Sequence, residues 1–286
     1  MEREVRPAAV AGAFYAADAP ALRRQIAWCF EHPLGPGAPD SPALPVTASS
    51  TTPRAVISPH AGYRYSGPVA AHAYRALWEG RLPELVVIVG PNHHMLGAPL
   101  AIPAARRWWT PLGISTIDRD AAVALGNACS ALAVDDGAHS LEHSVEVQVP
   151  FLQYTLGDNC RLLPIVMYEQ DLAPCRELGQ AIANVLRGRS AVIVASSDFT
   201  HCETHASTVR RDRWALRAIE ELDAEGLAGA IKRHRVTMCG AGPVVVAITA
   251  GRALGATRGR TLRYATSGEV SGDYSQVVGY AALAIE

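Results

Sequence analysis

Histidine side chains follow three apolar runs of the chain, where they could meet around a metal ion. The residues concerned are His60, the pair His93-His94, and His201 together with Asp198. In open α/β sheets, ligands bind beyond the carboxyl ends of the strands, so loops that follow neighbouring strands meet at one edge. A metal ion needs ligands that are deprotonated at neutral pH, and neutral imidazole meets that need. The sequence therefore predicts a metal site at this edge, with His60 and His93 as its imidazole ligands.

The third ligand of this site stays open on spacing alone. The candidates are Asp198, Glu142, Glu146 and a cysteine. Cys239 precedes an apolar segment that is predicted to be helical, and a thiol at a helix N-terminus has a lowered pKa. A small buried residue at a tight turn is an equally good interpretation of this cysteine.

The segment from Glu142 to Glu146 carries two carboxylates and a histidine. If a helix begins here, Glu142 and Glu146 lie on one face, at i and i+4. His143 and Glu146 have the i, i+3 spacing of some di-iron helices, but that pattern repeats on a second helix and no second copy is found. Acidic residues also stabilise a helix N-terminus in their own right. Helix capping and surface charge are therefore the favoured interpretation of the two glutamates.

Short apolar runs that do not alternate with polar residues indicate strands that are buried on both faces. The predicted strands cover residues 55–57, 85–89, 162–167, 191–195 and 279–285. Apolar residues recur with a helical period over residues 19–31, 68–79, 119–131, 143–156, 171–187, 207–231 and 241–254. This alternation predicts an α/β fold: a single domain over residues 1–286 with a central, mostly parallel or mixed sheet and helices on both faces. Residues 32–53, rich in Pro, Gly, Ser and Thr, are predicted to form a surface loop.

The composition is that of an ordinary globular protein and argues against several functional classes of protein. Of 286 residues, 49% are hydrophobic and 19% are charged, with a net charge of −1. This balance does not favour a nucleic-acid binder, which needs a basic face. No apolar run approaches the roughly 20 residues that span a bilayer, and Met1–Pro7 lacks the apolar stretch of a signal peptide, so a cytoplasmic protein is expected. The six cysteines form no CxxC pair, which argues against a zinc ribbon or a disulfide framework.

Five motifs in a fixed order resemble the signature of the Memo family (mediator of ErbB2-driven cell motility). They are ISPHAGYRYSG at 57–67, GPNHH at 90–94, EHSVE at 142–146, SSDFTH at 196–201 and MCG at 238–240. Arg6-Pro7 and the segment 11–15 also fit, so the likeness runs from about residue 6 to the end. The family is similar in fold to class III extradiol dioxygenases, which are non-heme Fe(II) enzymes that cleave catechol rings.

The resemblance implies that His60, His93 and Cys239 are the metal ligands. It also implies that His201 is an acid–base residue, with Asp198 beside it. The dioxygenases use two histidines and a carboxylate, whereas this pattern has a cysteine in place of the carboxylate. Two histidines and a thiolate can hold Fe(II), the metal that the resemblance favours, but they also suit copper or zinc. The residues expected to line the substrate pocket are Tyr63, His94, Glu142 and His143. For Tyr63, a position in the hydrophobic core is equally compatible with the sequence.

The leading hypothesis is an Fe(II)-dependent oxidoreductase that acts on a catechol-like small molecule, with His201 accepting and returning a proton. One alternative is a non-catalytic protein that binds a metal or a peptide ligand in the same pocket, as animal relatives suggest. Another is a hydrolase that uses a zinc-bound water. The resemblance also implies a pathway shared with AMMECR1-like and radical SAM proteins. A homodimer is a further expectation, with no nucleic-acid or membrane partner.

Overall fold

Two β-sheets organise the chain in the computed structural model, which describes residues 4–38, 52–78, 82–157 and 160–286. In chain order the strands are β1 (Val5–Arg6), β2 (Ala55–Ser58), β3 (Leu85–Pro91), β4 (Leu100–Ile102), β5 (Arg107–Thr110), β6 (Gly113–Thr116), β7 (Ala133–Val134), β8 (Arg161–Met167), β9 (Ala191–Ser196), β10 (Gly259–Thr266) and β11 (Gly279–Ile285). Within the described ranges, the larger sheet has the order β10-β11-β2-β9-β3-β8-β4-β7, and the smaller has the order β1-β5-β6. Strands β2, β9, β3 and β8 are parallel, whereas β11 runs antiparallel to β2 and β4 to β8. The mixed sheet that the sequence predicts is thus confirmed.

Helices connect the strands and lie on both sides of the larger sheet. They are α1 (Ala19–Glu31), α2 (Tyr63–Trp78), α3 (Arg119–Ala128), α4 (Asp136–His139), α5 (Gln148–Leu156), α6 (Leu172–Leu186), α7 (His205–Glu220), α8 (Ala224–His234), α9 (Ala241–Ala253) and α10 (Gly268–Ser271). Across the described part of the chain, no helix is long and apolar enough to cross a membrane. Most of the predicted surface loop, residues 39–51, lies outside the described residues.

The larger sheet separates two apolar cores. Successive side chains of a strand point to opposite faces, and here both faces are apolar. Ile57 and Val87 belong to the core that is covered by helices α3, α6, α8 and α9. Their chain neighbours Val56 and Val86 belong to the core that is covered by α1, α2 and α5. Burial on both faces explains why the strand sequences do not alternate with polar residues.

The carboxyl ends of the parallel strands meet at one edge of the sheet. Ser58, the last residue of β2, is in register with Ser196, the last residue of β9. On the other side of β9, Val89 of β3 is in register with Ala195. The loops that follow these strands contain the predicted site residues, so the structure confirms that they share one edge.

Three predicted helices differ most from those in the structure. The helix predicted over 207–231 is two helices, because Leu222 has a φ of 52° and the Asp223 side chain caps α8 by accepting the Gly226 N–H. Helix α2 begins at Tyr63 rather than at residue 68, so Pro68 lies inside it. Proline is most favourable in the first turn of a helix, which is where a start at residue 68 would have placed Pro68. Helix α5 begins at Gln148 rather than at residue 143.

His139 makes the stability of the fold dependent on pH. Its side chain is fully buried, with Nε2 3.2 Å from the Ala101 carbonyl oxygen. Burial, together with the charge of Arg6, lowers the pKa of His139 to about 3. The folded protein therefore keeps this imidazole neutral at pH values where the unfolded chain binds a proton.

Because the folded-state pKa of His139 is the lower one, its contribution to stability is lost as pH falls from about 6.5 towards 3. One such group changes the free energy of unfolding by up to about 1.4 kcal/mol per pH unit. We expect His139→Gln to have a shallower dependence of unfolding free energy on pH between 6.5 and 4.5, as measured by urea denaturation. Parallel curves for the parent and the variant would contradict this expectation.

Candidate metal centre

His60 lies in the loop after β2, and its imidazole is buried. The ring is 2% exposed, and its Nε2 lies 3.1 Å from the Sγ atom of Cys239. The backbone N–H of His60 donates to Asp198 Oδ1 at 2.8 Å, which joins the loops that follow β2 and β9. Burial, followed by the neighbouring His143 and His93, holds the pKa of His60 well below its ordinary value. A neutral imidazole is the form that a metal ion binds.

His93 follows β3 and is oriented by a buried carboxylate. Its Nδ1 lies 2.9 Å from Glu142 Oε1, and its backbone N–H donates to Glu142 Oε2 at 2.6 Å. Burial alone would raise the pKa of Glu142, but the hydrogen bond and charge of His93 outweigh it and hold this pKa well below its usual range. An ionised carboxylate accepts the Nδ1 proton, so Nε2 is the His93 nitrogen that carries the lone pair when the ring is neutral. A carboxylate behind a histidine in this way is a common outer partner of metal-binding imidazoles.

Cys239 lies just before helix α9, in a loop that is tied to two neighbouring segments. The Gln170 side chain donates to the Cys239 carbonyl at 2.9 Å and accepts the Gly242 N–H at 2.8 Å. Residue 240 must be glycine, because a Cβ there would lie 2.3 Å from the Ser196 carbonyl oxygen. Burial, and then the Asp198 carboxylate, raise the pKa of the Cys239 thiol. The metal-free group is therefore a thiol, whose proton would leave when a metal ion binds.

The three side chains converge on one point. One donor atom each from His60, His93 and Cys239 lie within 4.8 Å of one another, and the rings of His60 and His93 are 5.1 Å apart. A metal ion with bonds of about 2.0–2.3 Å to imidazole nitrogen and thiolate sulfur fits donor atoms at such separations. The sequence alone left the third ligand open between a cysteine and several carboxylates. The structure places the cysteine at this point, and the donor set fits a transition metal.

A second group, formed by His93, Glu142 and His143, also has one donor atom from each residue within 4.8 Å of the others. However, the carboxylate of this group already accepts several hydrogen bonds. Besides both N–H groups of His93, Glu142 accepts the backbone N–H of His143 at 2.9 Å and of Ser144 at 2.7 Å. Glu142 is 1% exposed and lies before helix α5, so the interpretation as helix capping and surface charge was wrong. It orients His93 instead.

Glu146 likewise proves to be buried rather than a surface charge. It is 0% exposed and forms a close ion pair with Arg6, which is 4% exposed. Its carboxylate also accepts the Ala9 and Val10 N–H groups and the Tyr15 hydroxyl. Its role is to hold the N-terminal segment against the rest of the molecule.

His143 forms a wall beside the three converging side chains. Its ring stacks on that of His93 with centroids 4.5 Å apart, and the Phe14 ring lies 4.5 Å from it on the N-terminal segment. Burial lowers the pKa of His143 to about 4, so its ring is neutral at physiological pH. His94, the next predicted pocket residue, is exposed on the loop after His93.

Tyr63 occupies the core rather than the pocket wall. It is 2% exposed, and its hydroxyl donates to the Val147 carbonyl at 2.6 Å. Its ring packs on Phe151, with centroids 4.7 Å apart. The structure thus favours the core alternative that the sequence left open.

Asp198 and His201 do not form the pair that the sequence analysis expected. The Nδ1 atom of His201 lies 3.0 Å from the Thr237 carbonyl oxygen, and its backbone N–H donates to Thr237 Oγ1 at 2.8 Å. Because a carbonyl only accepts, Nδ1 carries the proton and Nε2 is bare when the ring is neutral. Asp198 accepts the His60 N–H instead, and burial raises its pKa to about 6, partly offset by that hydrogen bond.

The hydrogen-bond partners Thr237 and Gln170 were missed in the sequence, and Arg6 was identified only as part of the family likeness and not as a partner of Glu146. Each lies far along the chain from the residue that it orients: 36 residues separate Thr237 from His201, and 69 separate Gln170 from Cys239. No local spacing pattern marks such partners, because the fold alone brings them together.

Known proteins resemble this chain over nearly its whole length. The family model described as Memo-like protein matches residues 6–284. A MEMO1 family protein of Methanopyrus kandleri is 48% identical over 281 residues, covering 97% of this chain and 98% of the relative. A second MEMO1 family protein, from Methanothermobacter thermautotrophicus, is 46% identical over 281 residues and covers 98% of this chain and 99% of its own.

Among solved structures, an uncharacterised protein of Escherichia coli K12 has a similar fold. The TM-score is 0.53 at 13% sequence identity, with 80% of this chain and 98% of that chain covered. A likeness at this identity concerns the fold alone. The family match over nearly the whole chain, and the identity to its curated members, show that this chain belongs to the Memo family.

Proposed function

We propose that this protein is a mononuclear metalloprotein in which His60, His93 and Cys239 bind one Fe(II) ion, and that it oxidises a catechol-like small molecule. The observation that carries the proposal is the convergence of the three donor atoms within 4.8 Å. Three protein ligands leave coordination positions open, as in non-heme iron oxygenases with two histidines and a carboxylate. When bound, Fe(II) would supply Lewis-acid and redox chemistry at this edge of the sheet.

The residues around the ligands have separate tasks in this proposal. Glu142 keeps His93 oriented through Nδ1, and Asp198 holds the backbone of His60 in place. His201 accepts a proton from a substrate hydroxyl at Nε2, because its Nδ1 is committed to Thr237. His143 and Phe14 form an aromatic wall that suits a flat ring.

The test is to load the protein with Fe(II) without oxygen, then to add oxygen and a panel of catechols. We expect a ring-opened product and oxygen consumption in the parent. His201→Ala should lower kcat by about 10²–10⁴-fold, the usual contribution of a general acid–base group, with unchanged iron content.

His234→Ala is the matched control, since His234, the last residue of helix α8, stacks on Trp214 of helix α7 and its loss should not affect turnover. Absence of product in the iron-loaded parent, or equal rates in both variants, would contradict the catalytic proposal.

The thiolate supports a second candidate. Sulfur is a softer ligand than a carboxylate and favours zinc or copper over Fe(II). A zinc-loaded protein that hydrolyses a substrate without oxygen would favour a hydrolase. Tight metal binding without turnover under any condition would favour a protein that binds a metal or a peptide ligand without catalysis.

A further inference from the structure

A buried serine contacts the far nitrogen of His60. The Nδ1 atom of His60 lies 2.8 Å from the hydroxyl oxygen of Ser196, the last residue of β9. His60 is 2% exposed and Ser196 is 0% exposed, so water does not compete for this contact. Which of the two groups donates the hydrogen decides which ring nitrogen keeps its lone pair.

The hydrogen bonds of Gln148 fix the orientation of its side-chain amide next to Ser196. Its Nε2 lies 3.1 Å from the Pro59 carbonyl oxygen, and a carbonyl only accepts. Its Oε1 forms a close hydrogen bond with the Tyr74 hydroxyl. The amide is thereby oriented with its NH₂ group towards Ser196, to which it donates at 2.7 Å.

The single hydroxyl hydrogen of Ser196 has its own acceptor. The hydroxyl donates to the Ser144 carbonyl oxygen at 2.7 Å, and Ser144 is also fully buried. If Ser196 donated to His60 instead, this buried carbonyl would lose its short hydrogen bond. With one lone pair of Ser196 occupied by Gln148 and its hydrogen committed to Ser144, the second lone pair accepts the Nδ1–H of His60.

We propose that Ser196 is a positioning residue that holds His60 in its Nδ1–H tautomer, so that the Nε2 lone pair points to the metal position beside Cys239. The inference rests on the proposed metal site for its functional meaning. His93 has an ionised carboxylate for the same purpose, whereas His60 has a neutral hydroxyl whose direction depends on Gln148 and Ser144. The tautomer of each imidazole is therefore fixed by a different kind of hydrogen-bond partner: a carboxylate for His93 and a hydroxyl for His60.

Two measurements test the inference. The first is the ¹⁵N NMR spectrum of metal-free protein, which distinguishes a protonated from a bare imidazole nitrogen. We expect His60 to carry its proton on Nδ1 in the parent, and to populate both tautomers in Ser196→Ala. The second is the affinity for Zn²⁺, measured by competition with a chelator.

Ser196→Ala is expected to weaken zinc binding by about 10–100-fold, the usual cost of losing an outer partner of a ligand. The matched control is Ser66→Ala, since Ser66 is also a buried serine that donates to a backbone carbonyl, that of Ala61 at 2.8 Å. It removes a hydroxyl near the site without touching the His60 ring, so zinc affinity should stay close to that of the parent. The urea midpoint of each variant verifies that it folds.

His60 protonated at Nε2 in the metal-free parent would overturn the inference, and this spectrum needs no substitution. Equal losses of zinc affinity in Ser196→Ala and Ser66→Ala, or no loss in Ser196→Ala, would also overturn it. A parent that binds no zinc and no iron would instead refute the proposed function, while the NMR spectrum would still decide the tautomer.

Discussion

Cys239→Ala is expected to lower the affinity for Fe(II) or Zn²⁺ by more than about 100-fold. Loss of an outer partner of a ligand typically costs about 10–100-fold, and loss of the ligand itself should cost more. The Sγ atom lies 3.1 Å from His60 Nε2, and alanine offers no donor atom in its place. His60→Ala should have an effect of the same order. Metal content after dialysis, together with competition titration, measures both variants.

The control for this prediction is Cys202→Ala. Cys202 is an exposed cysteine close in the chain to His201, and it is not part of the converging group. Its removal should leave metal content and affinity unchanged. If Cys239→Ala retains the affinity of the parent, the thiolate is not a ligand and the proposed site is wrong.

Glu146→Ala is expected to destabilise the fold by about 3–5 kcal/mol, the range measured when one partner of a buried ion pair is removed. The substitution leaves the Arg6 guanidinium buried without its carboxylate. It also removes the acceptor of the Ala9 N–H, the Val10 N–H and the Tyr15 hydroxyl. The free energy of unfolding, measured by urea denaturation without metal, gives the effect directly.

An exposed ion pair supplies the comparison. Arg217 and Glu221 form an i, i+4 pair at the C-terminal end of helix α7, with side chains 69% and 55% exposed. Such pairs contribute little because water screens both charges. Glu221→Ala should therefore leave the urea midpoint nearly unchanged, and a similar small change in Glu146→Ala would contradict the structural role of the buried pair.

The convergence of His60 and His93 at one edge of the sheet could be predicted from the sequence, because it follows from local patterns. Uninterrupted apolar runs mark strands buried on both faces, and His60 and His93 each follow such a run. Parallel strands bring these loops to one edge, so two of the three converging residues could be identified from the strands alone. Cys239 does not follow a strand, and only the family resemblance selected it over the carboxylates.

The hydrogen-bond partners that orient the His60 and His93 side chains could not be predicted from local patterns. Glu142 is 49 residues from His93, and Ser196 is 136 residues from His60. Glutamates before an apolar helix indicate capping in most sequences, so local reasoning assigned Glu142 and Glu146 to the surface. Their burial follows from tertiary contacts: Glu142 contacts His93 in the loop after β3, and Glu146 contacts the N-terminal segment.

Strand β10 and the smaller sheet were also missed. The first six residues of β10 are only partly buried, and its sequence mixes arginine and threonine with apolar residues, so it lacks the uninterrupted apolar run of the central strands. The expected homodimer, the peptide ligand and the pathway shared with AMMECR1-like and radical SAM proteins stay predictions. So does the cytoplasmic location.

The central claim is that two imidazoles and one thiolate bind a single ion together. X-ray absorption spectroscopy of the protein loaded with one equivalent of Zn²⁺ tests it most directly. We expect one sulfur neighbour at about 2.3 Å and two imidazole nitrogens at about 2.0–2.1 Å, with the sulfur absent in Cys239→Ala. A spectrum of the parent with only nitrogen and oxygen neighbours would contradict the claim.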